Sequence, residues 1–555
     1  MIEKTRWMVR AALARSTSCR TSRPVNLTTK GAVIAAAIVS TTLVARGASE
    51  PDGAHWWSHV AFLADDRLEG RDTGSAGHRK AAEYVAGEFA RVGLRPAGTL
   101  GYLQPVKFRS KEIDEAHSSL SLVQNGTEEP LTLGEDAIIS LRIDPAASVE
   151  ADLVFAGYAL SNSEARHDDF QGLDVRGKIV VHVMGAPAYI PGALAAHMQS
   201  AGERRALLQK LGAVGVVAIQ NPKNVDIPWA RASLARFMPS MSLADPTLDE
   251  SQGLSIGATI NPAKADKLFA GSGHTFAEIL AAADSEKPLP RFAIPKRLKA
   301  TVAVKRVEIE SQNVAAVLPG SDPVLKGEYV VFSAHLDHIG IGKPVDGDSI
   351  YNGAMDNASG VAAMLDVAAI LKDSGTKLRR SILFVAVTGE EKGLLGSRYF
   401  ASFPTVDRGS IVADINTDMF MPFFPLKRLT IFGLDESDVG DDAAAVAKSL
   451  NITPAPDPEP KRNVFIRSDQ YSFIREGIPS VMIAIGYAKG SPEEQIVHQW
   501  LAKRYHAPAD DLNQPIDKKA AGEFDVVVAK LLERVANRDQ RPRWKDSSFF
   551  KRFAH

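Results

Sequence analysis

Apolar segments of strand length alternate with segments of helical periodicity through the second half of the chain. Strand-like runs cover 329–333, 381–387, 411–415 and 480–485, and helix-like runs cover 358–371 and 394–403. This alternation predicts an α/β fold with a mixed, mainly parallel central sheet and helices on both faces. Ligands of such sheets bind beyond the carboxyl ends of the strands, so residues that follow these runs are the first candidates for a site.

Two further amphipathic segments flank this region. Apolar residues recur at helical spacing from Ala82 to Val92 and stop at Gly93, a residue that commonly ends a helix. Residues 524–535 have the same spacing. Both segments are predicted to be core helices of the α/β domain.

A different pattern covers residues 146–295, where dense groups of His, Asp and Glu are absent. Short β-rich runs occur at 151–156, 178–183 and 214–219, with a helical stretch at 202–211. The change predicts a smaller β-rich domain inserted into the α/β domain. The α/β domain would then consist of residues 49–145 and 296–540, followed by a basic tail at 541–555 without an assigned function.

The first 48 residues have the pattern of an export signal. They contain eight Lys or Arg residues and one acid, then an apolar stretch at 31–45 and small residues. The apolar stretch is shorter than the ~20 residues that span a bilayer, so cleavage and export to the periplasm or medium are predicted rather than an anchor. The only cysteine, Cys19, lies in this segment, so the exported chain is predicted to lack disulfides and cysteine ligands.

Composition narrows the classes of function. With 45% hydrophobic and 24% charged residues over 555 positions, the chain is typical of a soluble protein of two domains. The formal net charge is −1, and the part after the export signal is acidic. Nucleic-acid binding, which needs clustered basic charge, is not expected, nor is stable membrane insertion. The sequence does not indicate an oligomeric state.

Two predicted strands are followed directly by potential metal ligands. His335 and Asp337 follow one strand and point to the same side in extended geometry, so the carboxylate could orient a metal-binding imidazole. His338 points the other way and is predicted to be structural. Glu390 and Glu391 follow a buried type of strand, an unusual place for two solvated acids. One carboxylate of such a pair can hold a metal while its neighbour moves a proton.

Three more candidates stand near predicted element ends. Asp356 precedes a predicted helix, where a helix N-cap is the alternative interpretation. Asp418 follows a strand and is either a turn residue or a ligand. His506 is preferred to His498, because Pro508 stiffens its turn whereas His498 lies in a long polar loop.

These residues belong to five short motifs. In chain order the motifs are His335-Leu-Asp337, Asp356-Asn-Ala-Ser-Gly360, Gly389-Glu-Glu391, Asp418 and Tyr505-His506. The ordered set resembles that of the co-catalytic zinc aminopeptidases of metallopeptidase family 28. The resemblance covers roughly residues 55–140 and 300–535, and it implies the zinc exopeptidase fold.

The resemblance also implies a set of ligands for two Zn²⁺ ions. Asp356 would bridge both ions. His335 and Asp418 would complete one site, and Glu391 and His506 would complete the other.

The remaining implied roles concern catalysis. Glu390 would be the general base acting on a metal-bridging hydroxide, and Asp337 would brace His335. Tyr505 and Asp469 would contact the substrate or its oxyanion. The implied activity is hydrolysis of N-terminal residues from peptides with a free N-terminus.

The inserted region resembles a protease-associated domain, the kind that forms a lid or a wall on the substrate side. The matching segments are Phe155-Ala-Gly-Tyr158, Asp169-Phe-Gln-Gly-Leu-Asp-Val-Arg-Gly-Lys-Ile-Val180 and Lys210-Leu-Gly-Ala-Val-Gly-Val216. Its role in this chain is left open by the sequence.

Three alternatives remain open at this point. A carboxypeptidase on the same scaffold would need a cationic group for the substrate carboxylate, and Arg467 could supply one. Single-zinc glutaminyl cyclases share the scaffold. A non-catalytic binding protein is disfavoured, because such relatives lose metal ligands whereas all five implied ligands are present here.

Overall fold

The computed structural model describes residues 53–554. The predicted export signal and Cys19 therefore lie outside the described residues, and export stays a prediction. Within the described residues the strands form two large sheets and two short hairpins.

The larger sheet has ten strands and contains the strands predicted from 329 onward. Across the sheet they are Ser240–Leu243, Leu103–Ile113, Val304–Leu318, Ser381–Val387, Tyr329–His335, Ile411–Asn416, Ser480–Ile485, Arg428–Phe432 and Thr453–Ala455, with Arg95–Pro96 beside Val304–Leu318. The four strands from Ser381–Val387 to Ser480–Ile485 are parallel. The mixed sheet is confirmed, but "mainly parallel" describes only this centre, because most of the remaining pairs are antiparallel.

The central strands form because their residues are apolar and mostly β-branched or aromatic. Tyr329–His335 and Ser381–Val387 are buried along nearly their whole length, as expected for strands covered on both faces. Their register places His335 beside Val387. The chain segments that leave these two strands therefore begin at the same level of the sheet.

Helices cover both faces of the larger sheet, as predicted. One face packs against Ala54–Leu63, Ala76–Val92, Ser359–Asp373, Asp438–Ser449, Pro492–Lys503 and Lys518–Ala536. The other face packs against Leu395–Ser402 and Gln470–Arg475. Alternation along a strand divides the two cores, since Val330 and Phe332 face the first set and Val331 faces the second.

Among the described residues, one helical stretch, Ala354–Asp373, has the length and hydropathy of a membrane span. Of its most apolar window, 83% is buried inside the protein. It is the central helix of the core beside the larger sheet and contacts the helices Ala54–Leu63 and Lys518–Ala536.

The smaller sheet has eight strands and its own apolar core. Across the sheet they are Thr127–Leu131, Ser119–Gln124, Arg291–Thr301, Ser148–Ala156, Ile179–Val183, Gly215–Ile219, Ile256–Ile260 and Ala137–Ile139. The helices of this region are Gly192–Gln199, Ala201–Leu211, Trp229–Ala232, Asp266–Phe269 and Phe276–Asp284. The short hairpins pair Ser161–Asn162 with His167–Asp168 and Gly340–Val345 with Asp348–Tyr351.

The edges of this sheet differ from the predicted boundaries at 146 and 295. Arg291–Thr301 pairs with Ser119–Gln124 as well as with Ser148–Ala156, so strands before residue 146 belong to the smaller sheet. In the other direction, Ser240–Leu243 joins the larger sheet. Pairing between strands distant in sequence leaves no trace in local periodicity, so the membership of each sheet could not be predicted from it. The domain boundaries themselves stay a prediction. That this region is of the protease-associated type stays a prediction.

The basic tail is part of the folded structure. Trp544 and Phe550 are buried, and the Trp544 indole donates a hydrogen bond of 2.9 Å to the Gly477 carbonyl. The apolar side chains of the tail therefore close a small core beside Phe465.

Candidate functional site

The six predicted side chains meet at the carboxyl ends of the parallel strands. His335 Nε2 lies 3.2 Å from Asp356 Oδ1 and 3.2 Å from Asp418 Oδ1. His335 ends the strand Tyr329–His335, and Asp418 follows Ile411–Asn416, the neighbouring strand. These three residues form the first half of the cluster.

The second half lies on the other side of Asp356. His506 Nε2 lies 3.3 Å from Asp356 Oδ2 and 3.3 Å from Glu391 Oε2. The two oxygens of Asp356 thus face one imidazole each, which is the arrangement expected of a carboxylate shared between two cations. His498 is elsewhere, half-exposed and 3.0 Å from Glu459 Oε2. It lies in the helix Pro492–Lys503, so the predicted loop at this position is wrong.

His338 corrects the sequence interpretation. It was expected to point away, but its Nδ1 lies 2.7 Å from Glu391 Oε1 and 3.9 Å from Asp356 Oδ2. The ring is fully buried, and neither nitrogen has a hydrogen-bond partner of good geometry within residues 53–554. The strand ends before this residue, so strict alternation no longer decides where the side chain points. Both His338 and His506 are therefore placed to act as ligands beside Glu391.

Asp337 also differs from its predicted role. His335 Nδ1 donates to the main-chain carbonyl of Asp337 at 3.0 Å, and this bond leaves Nε2 facing the carboxylates. The Asp337 carboxylate instead accepts from the amides of Glu390 and Glu391, at 3.1 and 3.4 Å, and from the Thr73 hydroxyl at 2.9 Å. It fixes the backbone turn that carries the two glutamates.

A second buried carboxylate holds the turn around Asp356. Asp510 accepts hydrogen bonds from the amides of Met355 and Asp356, at 2.9 and 3.0 Å. Burial raises the pKa of Asp510 to about 7. Gly353 has φ +62°, and a Cβ there would lie 2.2 Å from the Asp356 carbonyl oxygen, so only glycine fits this close approach.

Arg71 is a structural residue of the site that sequence reasoning missed. It is fully buried and donates to four main-chain carbonyls: Leu336 at 2.9 Å, Asn352 at 2.7 Å, Gly353 at 3.0 Å, and Leu63. Its guanidinium therefore ties the segment after His335 to the segment before Asp356. No periodicity or motif marks an arginine for burial, so the sequence offered no signal for it.

The adjacent glutamates differ in their electrostatics. Burial raises the pKa of Glu390 well above its usual value, and the nearby charges of Glu391 and Asp418 add to this, although His335 opposes it. Burial acts in the same direction on Glu391, but the charges of His506 and His338 outweigh it and lower the pKa. Glu391 is thus held as a carboxylate, whereas Glu390 readily binds a proton.

The cluster suits divalent cations. Imidazole nitrogens of His335 and His506 lie 3.2–3.3 Å from carboxylate oxygens of the cluster. Both ring nitrogens of His338 and Oε1 of Glu391 lack a hydrogen-bond partner within residues 53–554. Buried charged groups of this kind are normally paired or coordinate metals. His335, Asp356 and Asp418 could hold one ion, and Asp356, Glu391 and an imidazole of His338 or His506 could hold another.

A cavity opens beside the cluster. Glu390, Asp356, Asp418, Tyr505 and His506 line it on one side. The opposite wall is largely apolar and includes Met419, Met421, Phe432, Met482, Ile485 and Leu501.

The two residues predicted to contact substrate are placed differently. The Tyr505 ring packs on His506 at 4.0 Å between centroids, and burial raises its pKa well above the usual value, so it stays a hydrogen-bond donor. Asp469 is fully buried and is not among the residues that line this cavity, so its contact with substrate stays a prediction. Its charge contributes to the raised pKa of Glu390.

Residues 313–532 match the sequence pattern of peptidase family M28. All six clustered residues, from His335 to His506, lie within this matching segment.

Curated relatives match over limited lengths. Aminopeptidase YwaD of Bacillus subtilis (strain 168) is 25% identical over 263 residues, which cover 45% of this chain and 50% of the relative. A probable zinc metalloprotease of Pyrenophora teres f. teres (strain 0-1) is 37% identical over 107 residues, which cover 19% of this chain and 22% of the relative. The chain therefore matches half or less of the length of these relatives.

Similarity in fold extends beyond residues 313–532. An aminopeptidase from Aneurinibacillus sp. strain AM-1 has a TM-score of 0.53 and 19% identity to this chain. The superposition covers 89% of this chain and 95% of that protein. At this level of identity the likeness concerns the fold alone.

Proposed function

We propose that the protein is a zinc-dependent exopeptidase that removes N-terminal residues from peptides. The observation that carries the proposal is Asp356, whose two oxygens face His335 and His506 in turn. We assign two zinc ions to the cluster. Asp356 would be shared between them, His335 and Asp418 would complete one site, and Glu391 would complete the other with His506.

Zinc supplies Lewis acidity, which polarises a peptide carbonyl and activates water near neutral pH. Glu390 is placed to act as the general base. It lines the cavity next to the ligands, yet no ion pair within 4.0 Å joins it to a basic side chain of residues 53–554. It can therefore take a proton from the attacking water and deliver it to the leaving amine. Tyr505, also in the wall, can donate a hydrogen bond to the developing oxyanion.

The charges in the cavity favour a free N-terminus over a free C-terminus. Arg467 Nη1 donates to Asp226 Oδ2 at 2.8 Å, and Arg462 Nε donates to Asp226 Oδ1 at 2.8 Å. Asp226 follows the strand Gly215–Ile219 of the smaller sheet and lines the same cavity. A substrate carboxylate would have to displace it, which removes the support that Arg467 gave to a carboxypeptidase. The carboxylates of the cluster would instead attract an ammonium group.

The first prediction concerns the substrate. We expect leucine p-nitroanilide to be hydrolysed ~10²-fold or more faster than its N-acetyl derivative, because the acetyl group removes the free amine that the proposed site selects. The apolar wall predicts that leucine and methionine are preferred to alanine by ~10-fold or more at the N-terminal position. Both comparisons are measured as kcat/KM, before and after removal of metal with a chelator and reloading with zinc.

Other outcomes would point to other activities. Release of C-terminal residues from N-acetylated peptides would identify a carboxypeptidase and contradict the proposal. Cyclisation of N-terminal glutamine without hydrolysis would identify a glutaminyl cyclase. Activity that survives chelation would exclude the metal-dependent mechanism. A preference for lysine would contradict the apolar pocket and point to Asp457, which lines the same cavity.

A second prediction follows from the contacts of Asp337. We expect Asp337→Ala to lower kcat ~10–100-fold, because the amides of Glu390 and Glu391 lose their acceptor and the turn that aims both glutamates is released. Steady-state kinetics and metal content are measured together. Asp348→Ala, in the exposed hairpin strand Asp348–Tyr351, is the control and should match the wild type. An unchanged kcat for Asp337→Ala would show that the turn does not depend on this carboxylate.

A further inference from the structure

A second group of imidazoles and carboxylates lies away from the cavity, where three helices meet. We call it the three-helix cluster; its members are His55, His59, Asp366 and Asp525. The histidines belong to Ala54–Leu63, Asp366 to Ser359–Asp373 and Asp525 to Lys518–Ala536. Asp366 is ten residues after Asp356, roughly 15 Å along a helix, so the three-helix cluster is separate from the site around Asp356.

The two histidines are four residues apart and therefore share one face of their helix. Their rings lie 4.6 Å apart at an angle of 82°. His55 Nδ1 contacts Asp366 Oδ1, and His59 Nε2 lies 3.9 Å from the same oxygen. Two imidazole nitrogens thus converge on one carboxylate.

The ring of His59 is oriented by its other nitrogen. The Tyr84 hydroxyl lies 2.7 Å from His59 Nδ1, which leaves Nε2 as the atom that faces Asp366. His59 is 3% exposed, and its Nε2 has no hydrogen-bond partner within residues 53–554. Metal-binding histidines are commonly held in this way, with one nitrogen fixed and the other free.

Asp525 is a second buried acid of the cluster, and its carboxyl group interacts with that of Asp366. It is 1% exposed, and neither carboxyl oxygen receives a hydrogen bond from an N–H group or an alcohol in the described part of the chain. Burial and the adjacent charge of Asp366 raise its pKa well above the usual value. An acid buried without a donor is destabilising unless it is protonated or binds a cation.

We propose that the three-helix cluster binds one divalent transition-metal ion of the kind that imidazole and carboxylate ligands select, such as Zn²⁺. His55 Nδ1, His59 Nε2 and the Asp366 carboxylate supply the ligands, and Asp525 adds a fourth ligand or holds Asp366 in place. The His55 side chain is 53% exposed, which gives the ion a route from solvent. Such an ion would join the first described helix to the two core helices.

The experiment counts metal. Three proteins are compared: the wild type, His55→Ala and the control His117→Ala. Each is stripped of metal with a chelator, reloaded with zinc and freed of excess zinc. The number of zinc ions per chain is then measured. His117 is an exposed histidine outside the cluster, paired with Asp114. We expect His55→Ala to hold one zinc ion fewer than the wild type and His117→Ala to match the wild type. Equal counts in all three proteins would overturn the proposal.

Thermal unfolding gives an independent measure. A metal that binds only the folded protein raises its stability, so zinc should raise the unfolding midpoint of the wild type and of His117→Ala by ~2 °C more than that of His55→Ala. The readout is the difference between variants in the midpoint shift caused by zinc. It therefore does not depend on how many ions the site around Asp356 holds or on peptidase activity. Equal midpoint shifts in all three proteins would contradict a site at His55.

Discussion

Replacing Glu390 by glutamine is expected to abolish peptide hydrolysis while leaving the zinc content of the protein unchanged. The substitution keeps the size of the side chain and the hydrogen bond from the main-chain amide of residue 390 to Asp337. It removes the carboxylate that accepts the proton from water. Positioned general acid–base catalysis contributes ~10²–10⁴-fold, so kcat should fall by at least this factor. Zinc content measured on the same preparation tests whether the metal centre has survived.

Glu391→Gln is the matched variant, since it makes the same chemical change one residue further along. Glu391 lies 3.3 Å from His506 and 2.7 Å from His338, so its carboxylate is part of the proposed centre. We expect this variant to lose zinc as well as activity. Loss of zinc from Glu390→Gln, or full activity in that variant, would contradict the division of roles between the two glutamates.

The central part of the fold could be predicted from local pattern. The strands Tyr329–His335 and Ser381–Val387 are continuous buried apolar runs, and a buried parallel sheet requires such runs. Because the carboxyl ends of parallel strands meet at one edge, His335 and Glu390 could be expected to lie close together before the structure was known.

The residues that support the site could not be predicted in this way. Asp510 and Arg71 act by binding main-chain groups of segments distant in sequence, and such bonds depend on how the loops cross rather than on residue type. His338 illustrates a related failure. Alternation was applied three residues beyond the end of a strand, where the rule no longer holds.

The smaller sheet contributes to the cavity through contacts that the sequence did not reveal. Asp226 pairs with Arg462 and Arg467 across more than 200 positions of sequence, and Arg231 donates to the carbonyls of Leu501 and Ala502 at 3.0 and 2.8 Å. Arg467 alone was compatible with carboxylate recognition. Its partner, from another part of the fold, changes that interpretation.

Replacing Asp356 by alanine is expected to remove the two zinc ions of the proposed centre and to abolish activity. One oxygen faces His335 and the other faces His506, so the substitution takes a ligand from each half of the proposed centre. Lewis-acid catalysis is worth several kcal/mol of barrier, and about 1.36 kcal/mol is tenfold in rate, so kcat/KM should fall by ~10³-fold or more. Elemental analysis of the purified variant measures the metal directly.

Two comparisons separate loss of metal from loss of fold. Asp356→Asn preserves size and one carbonyl oxygen, so it should remain folded by circular dichroism and still bind less zinc than the wild type, because a neutral amide is a weak zinc ligand. Asp373→Ala, at the exposed end of the helix Ser359–Asp373, should keep the wild-type zinc content and activity. A folded Asp356→Ala variant with full zinc content would refute the bridging role. Loss of a single ion would instead place Asp356 in one half of the cluster only.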